Sequence, residues 1–150
     1  MRIRSGFAVR HRNIQGSAAL EFGLFIPLLA ILLTGVVEIG FAMYQAMQVS
    51  YAAEAAMFYA MKNGFNSTGI SSAATTATGL TGLNATASQF CGCPGTSGIT
   101  NVSCSSTCVS GNPPSQYIQI NVSAARRSII TGSGLPLPNT LSTQSLVRQN

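Results

Sequence analysis

Hydrophobic and polar positions fall into three blocks along the chain. Residues 1–16 are short and basic, Ser17 to Lys62 are dominated by Ala, Leu, Ile, Val, Met and aromatics, and 63–150 are rich in Ser, Thr, Gly and Asn. Within the middle block the run Phe22–Val37, FGLFIPLLAILLTGVV, carries no charge. Extended toward Gly16 and Glu38 it reaches about 20 residues, which at ~1.5 Å per residue covers a hydrocarbon core of ~30 Å. Helical pattern continues without a break through EIGFAMYQAMQVSYAAEAAMFYAM to Lys62, predicting one helix over 17–62 of roughly 70 Å, more than twice the membrane core. Pro27 lies inside it, where the ring kinks a helix without ending it.

On a helical wheel, residues 38–62 separate into two stripes. Ala42, Ala46, Ala53, Ala56 and Ala60 lie close to one direction, and Tyr44, Tyr51 and Phe58 lie opposite. Small residues let helix backbones approach closely, and aromatics supply large surfaces to bury. The expectation is that the alanine stripe packs against a neighbouring helix in an assembly and that the aromatic stripe packs under the polar domain. Internal packing of both stripes within one chain is the competing reading.

Gly64 is placed to stop the helix at its C′ position. Beyond it, 68–86 is weakly patterned. Its alanines permit a short helix, and its Gly and Thr content favours loop. Tyr117–Ser123, YIQINVS, alternates cleanly, with Ile118, Ile120 and Val122 on one face, and predicts a strand. Residues 98–104 and 141–148 are its expected partners, joined by turns at Gly111–Pro114 and around Leu135–Pro138. The fold class expected is α+β: a long membrane-spanning helix followed by a small antiparallel β domain.

Charge sharpens this picture. Charged residues make up only 7% of the chain, against about 25% in an ordinary soluble domain. Four of the eight basic residues, Arg2, Arg4, Arg10 and Arg12, precede the apolar run. That layout reads as topology: the N-terminus inside the cytoplasm, and 63 onward outside. Nucleic-acid binding, which needs cations clustered on a folded face, is disfavoured. A cleaved secretory signal is disfavoured as well, because the apolar run is long and continues into more helix.

The remaining chemistry is sparse. The chain has no Asp, its one His is His11, and all three Glu, at 21, 38 and 54, lie on the predicted helix. A nucleophile would have no base and a metal no oxygen cage, so no enzyme activity, cofactor or small-molecule substrate is expected. Cys91, Cys93, Cys104 and Cys108 sit in the outer domain, where an oxidising environment favours disulfides. Three pairings are possible, and cross-pairing between the 91/93 and 104/108 clusters is favoured because closure within Cys91 and Cys93 would be strained. Zinc is the rival, disfavoured by the C-x-C…C-x3-C spacing and the lack of a supporting His.

The N-terminal pattern has a further meaning. A basic leader ending in Gly16, then Ser17 and small residues, then Glu21 before the apolar run, resembles the processing site of type IV pilin-like precursors. The segment GSAALEFGLFIPLLAILLTGVVEIGFAMYQAMQVSYAAEAAMFYAM resembles more narrowly the TadE-like domain of tight-adherence (Flp) pilus systems, through Gly16, Ala18, Glu21, Phe22, Pro27, Glu38 in VVEIG, and the Ala-rich helix ending in Tyr59-Ala60. The resemblance covers about a third of the chain. TLSTQSLVRQ near the C-terminus is similar to the last strand of such proteins. The chain departs at 54–58, EAAMF, where relatives often carry basic residues.

The resemblance implies cleavage by a prepilin peptidase after Gly16, leaving Ser17 as the first residue and Glu21 as the fifth. The new α-amine, cationic near neutral pH, would then lie one helical turn from Glu21 or pair with a neighbour's acid, making Glu21, and with it Glu38, devices of assembly and register. It implies a minor pseudopilin whose partners are the membrane, the Flp pilin and other pseudopilins, seated in a bacterial inner membrane by one span with its C-terminal domain periplasmic or extracellular. The domain division expected is a cleaved leader 1–16, a TadE-like helix 17–62 and a polar extracytoplasmic domain 63–150. The alternative is an uncleaved single-span envelope protein whose outer domain binds a ligand or surface.

Overall fold

The structure, a computed structural model, describes residues 15–130 and 136–149, with side chains from Ala19 onward. The basic leader as far as Ile14 and the turn residue Leu135 lie outside the described residues. The fold is α+β. Helix α1 runs Gln15–Asn63, through Pro27, and is followed by α2 (Ser67–Thr76) and strands β1 (Leu83–Gly95), β2 (Gly98–Val102), β3 (Ser115–Ala125) and β4 (Thr140–Gln149).

Two compact units divide at Val37/Glu38. The first consists of the apolar part of α1. Its large side chains are exposed on every face, Leu20, Phe22, Leu24, Phe25, Ile31 and Leu32 among them. A helix apolar all round has the composition and length to cross a bilayer.

The second unit begins at Glu38. Its sheet has the order β2-β1-β3-β4 with every pairing antiparallel. β3 lies between β1 and β4, and its alternation places Ile118, Ile120 and Val122 in the core, none more than 1% exposed. Against them lie Val49, Ala52, Ala53, Ala56 and Ala60 of α1, with Ile70 and Ala74 of α2. Along α1 the buried positions are 38, 42, 45, 49, 52, 53, 56 and 60, a three–four spacing that keeps one face on the sheet.

Local signals explain the ends. Gly64 adopts φ +73 and its N–H donates to the Ala60 carbonyl at 2.9 Å, the left-handed stop that only glycine takes without cost. Three residues later α2 starts behind Asn66, whose side chain accepts from Gly69 N–H at 2.9 Å. The weakly patterned 68–86 therefore contains one real helix, because capping and the burial of Ile70 and Ala74 outweigh a Thr-rich composition.

β1 is the element that sequence reading did not anticipate. Its residues, LNATASQFCGCPG, have low strand propensity and no clean alternation. It is held by ladders on both sides, to β3 along Leu83–Gly92 and to β2 along Cys91–Gly95. Gly92 is buried in it. A β-carbon there would run into the Ile99 side chain and come within 3.1 Å of the Tyr117 ring, so the close pairing of β1 with its neighbours requires glycine.

Candidate functional site

Glu38 and Gln45 are the two buried polar residues on the sheet-facing side of α1, 1% and 2% exposed. Seven residues apart, they point the same way. The segment leaving β3 comes back across them. Arg126 Nη1 donates to Glu38 Oε1 at 2.8 Å, Ser128 Oγ donates to the same oxygen, and the Ile129 N–H donates to Oε2 at 3.0 Å. Two turns on, Gln45 meets the Arg127 peptide with both ends of its amide: Nε2 donates to the Arg127 carbonyl at 2.9 Å and Oε1 accepts from the Arg127 N–H at 2.8 Å. Arg126 also donates through Nε to the Pro138 carbonyl at 3.0 Å, and through its main-chain N–H to the Asn139 carbonyl at 2.8 Å. Arg127 reaches Thr81 Oγ1 with its guanidinium. The result is a latch. It fastens 126–129 to the helix at the point where the apolar run gives way to the folded unit.

Chemically the latch is closed. Its carboxylate is neutralised by an arginine 9% exposed, and its lone pairs are taken by donors from one short segment. Such an arrangement positions chain; it offers no free base to a substrate. A groove between α2 and β1 is lined by Ser67, Thr68, Ser71, Ser72, Thr75 and Thr86 with two alanines, a row of hydroxyls with no acid or base beside it.

Sequence reading singled out Glu38, and the structure gives it an intramolecular partner. Gln45, Arg126 and Ser128 were missed as a group. The signal available was the wheel itself, because Glu38 and Gln45 fall on the alanine face, where a polar residue has to find a partner.

The two stripes on α1 face the other way from the arrangement expected. Ala42, Ala53, Ala56 and Ala60 are buried within this chain and Ala46 is half-buried, whereas Tyr44, Tyr51 and Phe58 are exposed. The aromatic stripe does not pack under the polar domain. The alanines do, because a sheet carrying Ile118, Ile120 and Val122 already fills the interlayer space, and small helix residues let the layers close.

Both cysteine clusters come together at the β1–β2 end of the sheet. Cys91 is joined to Cys104 and Cys93 to Cys108, with Cα–Cα separations of 5.1 and 5.5 Å. The bonds fix the loop after β2 onto β1, and Cys91 and Cys108 are buried. Cys91 and Cys93 lie on the same strand face, two apart, so each reaches a separate cysteine of the loop.

At the other end of the chain, Gly16 and Ser17 fall in the first turn of α1, and their surroundings lie outside the described side chains. Glu21 is exposed among Leu20, Phe22 and Leu24. This stretch and the helix up to Met57 decide the relationship: the family model for TadE-like protein matches residues 16–57. The 16–57 segment is TadE-like. The TadE-like segment takes in the apolar run, the latch residues Glu38 and Gln45, and the first four buried alanines, Ala42, Ala52, Ala53 and Ala56. The sheet and the disulfides lie beyond it. TadE-like proteins are components of pilus assembly and are not known as enzymes. No curated protein and no solved structure matches the chain.

Proposed function

We propose that this protein is a minor pseudopilin of a tight-adherence (Flp, type IVb-like) pilus or a related secretion machine, acting in assembly without catalysis. The observation that carries the reading is the TadE-like match at 16–57, which begins at Gly16 and coincides with a helix whose apolar part is exposed all round. Cleavage after Gly16 by a prepilin peptidase leaves the whole apolar helix in the mature protein and gives Ser17 a free α-amine. Glu21 lies one turn away along the helix, in reach of that amine or of a neighbouring subunit's. A carboxylate in lipid costs on the order of 3 kcal/mol on insertion scales, and a cationic partner offsets that cost. Contact with the Flp pilin and other pseudopilins then supplies both the charge and the lipid-free surroundings. In this reading the N-terminus starts on the cytoplasmic side and the disulfide-bonded domain lies outside.

The test is the mass of the mature N-terminus in cells with an active prepilin peptidase. The expected product starts at Ser17, and Gly16→Leu should accumulate a precursor heavier by the leader. A wild-type protein that keeps Met1–Gly16 overturns the reading in favour of an uncleaved single-span envelope protein.

A further inference from the structure

We propose that Ile129 and Ile130 form a membrane-contacting foot of the folded unit, seated in the lipid interface where α1 leaves the bilayer. The inference rests on the reading that Phe22–Val37 crosses the membrane. Its starting point is the latch. Ile129 donates its N–H to Glu38 at 3.0 Å, so this backbone is held against the first residue after the uncharged run. Covalent continuity alone puts the end of that run, Val37, next to Glu38. A run of about 20 residues from the level of Ala18 reaches the far edge of a ~30 Å core near Glu38.

The surface presented there suits lipid. Ile129 is 56% exposed and Ile130 36%, although neighbouring positions of the same segment are tied down by hydrogen bonds. On the helix at the same level Ile39 and Met43 are exposed, and Tyr44 follows them. An aromatic with a hydroxyl just beyond an apolar run is the usual occupant of a membrane–water boundary. Arg127 is exposed beside the isoleucines, and its guanidinium can serve a lipid phosphate. Arg126, by contrast, is spent on Glu38. A buried, neutralised carboxylate at this depth is what a bilayer edge tolerates. Glu38 directly follows the uncharged run in sequence and the latch holds Ile129 to it, which selects lipid over a separate protein partner.

The chain contains no Trp, so a single introduced Trp reports depth without background. The experiment uses the full chain in vesicles of phosphatidylethanolamine and phosphatidylglycerol, with Trp at one position at a time. Ile129→Trp and Ile130→Trp report the foot, Phe25→Trp reports the span, and Val109→Trp reports the disulfide loop. Quenching by lipids brominated near the headgroup, by lipids brominated deep in the acyl chain, and by aqueous acrylamide is compared. The foot reporters should be quenched several-fold more by shallow bromines than the Val109 reporter, and the Phe25 reporter most by deep bromines. Adding Glu38→Ala should return the Ile129 reporter toward acrylamide sensitivity, because the segment is no longer held. If the Phe25 reporter shows depth while both foot reporters behave like Val109, the foot is wrong and the span stands. A Phe25 reporter reached only by acrylamide overturns the spanning reading and the foot with it.

Discussion

Glu38 and Glu21 are both acids on one helix, yet their surroundings differ completely. Glu38 is enclosed and receives donors from Arg126, Ser128 and the Ile129 main chain, whereas Glu21 is exposed among leucines and phenylalanines. The first is satisfied by its own fold; the second has no hydrogen-bond partner among the described residues. Substitutions should separate them. Glu38→Ala removes the acceptor of Arg126 Nη1 and of the Ile129 N–H and the counter-charge of the arginine, and should lower the thermal midpoint of the purified protein in detergent. Gln45→Leu removes both hydrogen bonds to the Arg127 peptide, and at roughly 1 kcal/mol for each bond should cost about 2 kcal/mol by the same measurement. Glu21→Leu should leave that midpoint unchanged and permit insertion and cleavage, while weakening co-purification with pilus partners. Retained co-purification would show that the acid plays no part in assembly.

Between elements, the packing of α1 on the sheet is set by small residues. Ala53 is 1% exposed and sits in the core with Ile118, Ile120 and Val122. Ala53→Leu should overpack that layer and destabilise the folded unit by about 1–3 kcal/mol, whereas Tyr51→Ser, on the exposed face, should have little effect. Circular dichroism melts of the two variants in the same detergent decide between this arrangement and an intermolecular alanine seam. The disulfides act between elements too. Their sequence separations are 13 and 15 residues, for which loop-closure entropy predicts about 3 kcal/mol each. Protein alkylated without reduction should show four unmodified cysteines by mass, and reduced protein should melt lower. Much of this level was legible in the sequence. The helix stop at Gly64, the strand at 117–123 and its partner at 141–148 follow from local chemistry, whereas the other expected partner, 98–104, forms β2 and pairs with β1, which takes the place beside β3. β1 was not legible, since its Asn, Ala, Thr, Ser and Gly residues become a strand only through ladders to β2 and β3 that local pattern does not encode. The facing of the two helix stripes was not legible either, because a wheel separates faces without saying what lies beyond each.

On the scale of the whole molecule, the TadE-like match covers the apolar run and the start of the folded unit, and the sheet lies beyond it. What sequence supplied here was the order of the blocks and the Gly16…Glu21 spacing. The latch, made between positions 38 and 45 on one side and 126–129 on the other, depends on a chain path that only the tertiary structure reveals. The strand order has a kinetic consequence. β3 pairs with β1, made before it, and with β4, made after it, and Leu83 lies opposite Ala124 across the first of these ladders. Contacts so far apart in the chain close slowly, and none of them is available while synthesis has progressed only as far as the helix and β1. The alanine face of α1 is therefore a surface completed early and covered late. During that interval the newborn helix presents to its surroundings a smooth apolar flank, and any factor that shields such flanks has its one opportunity before residue 115 arrives to take the place.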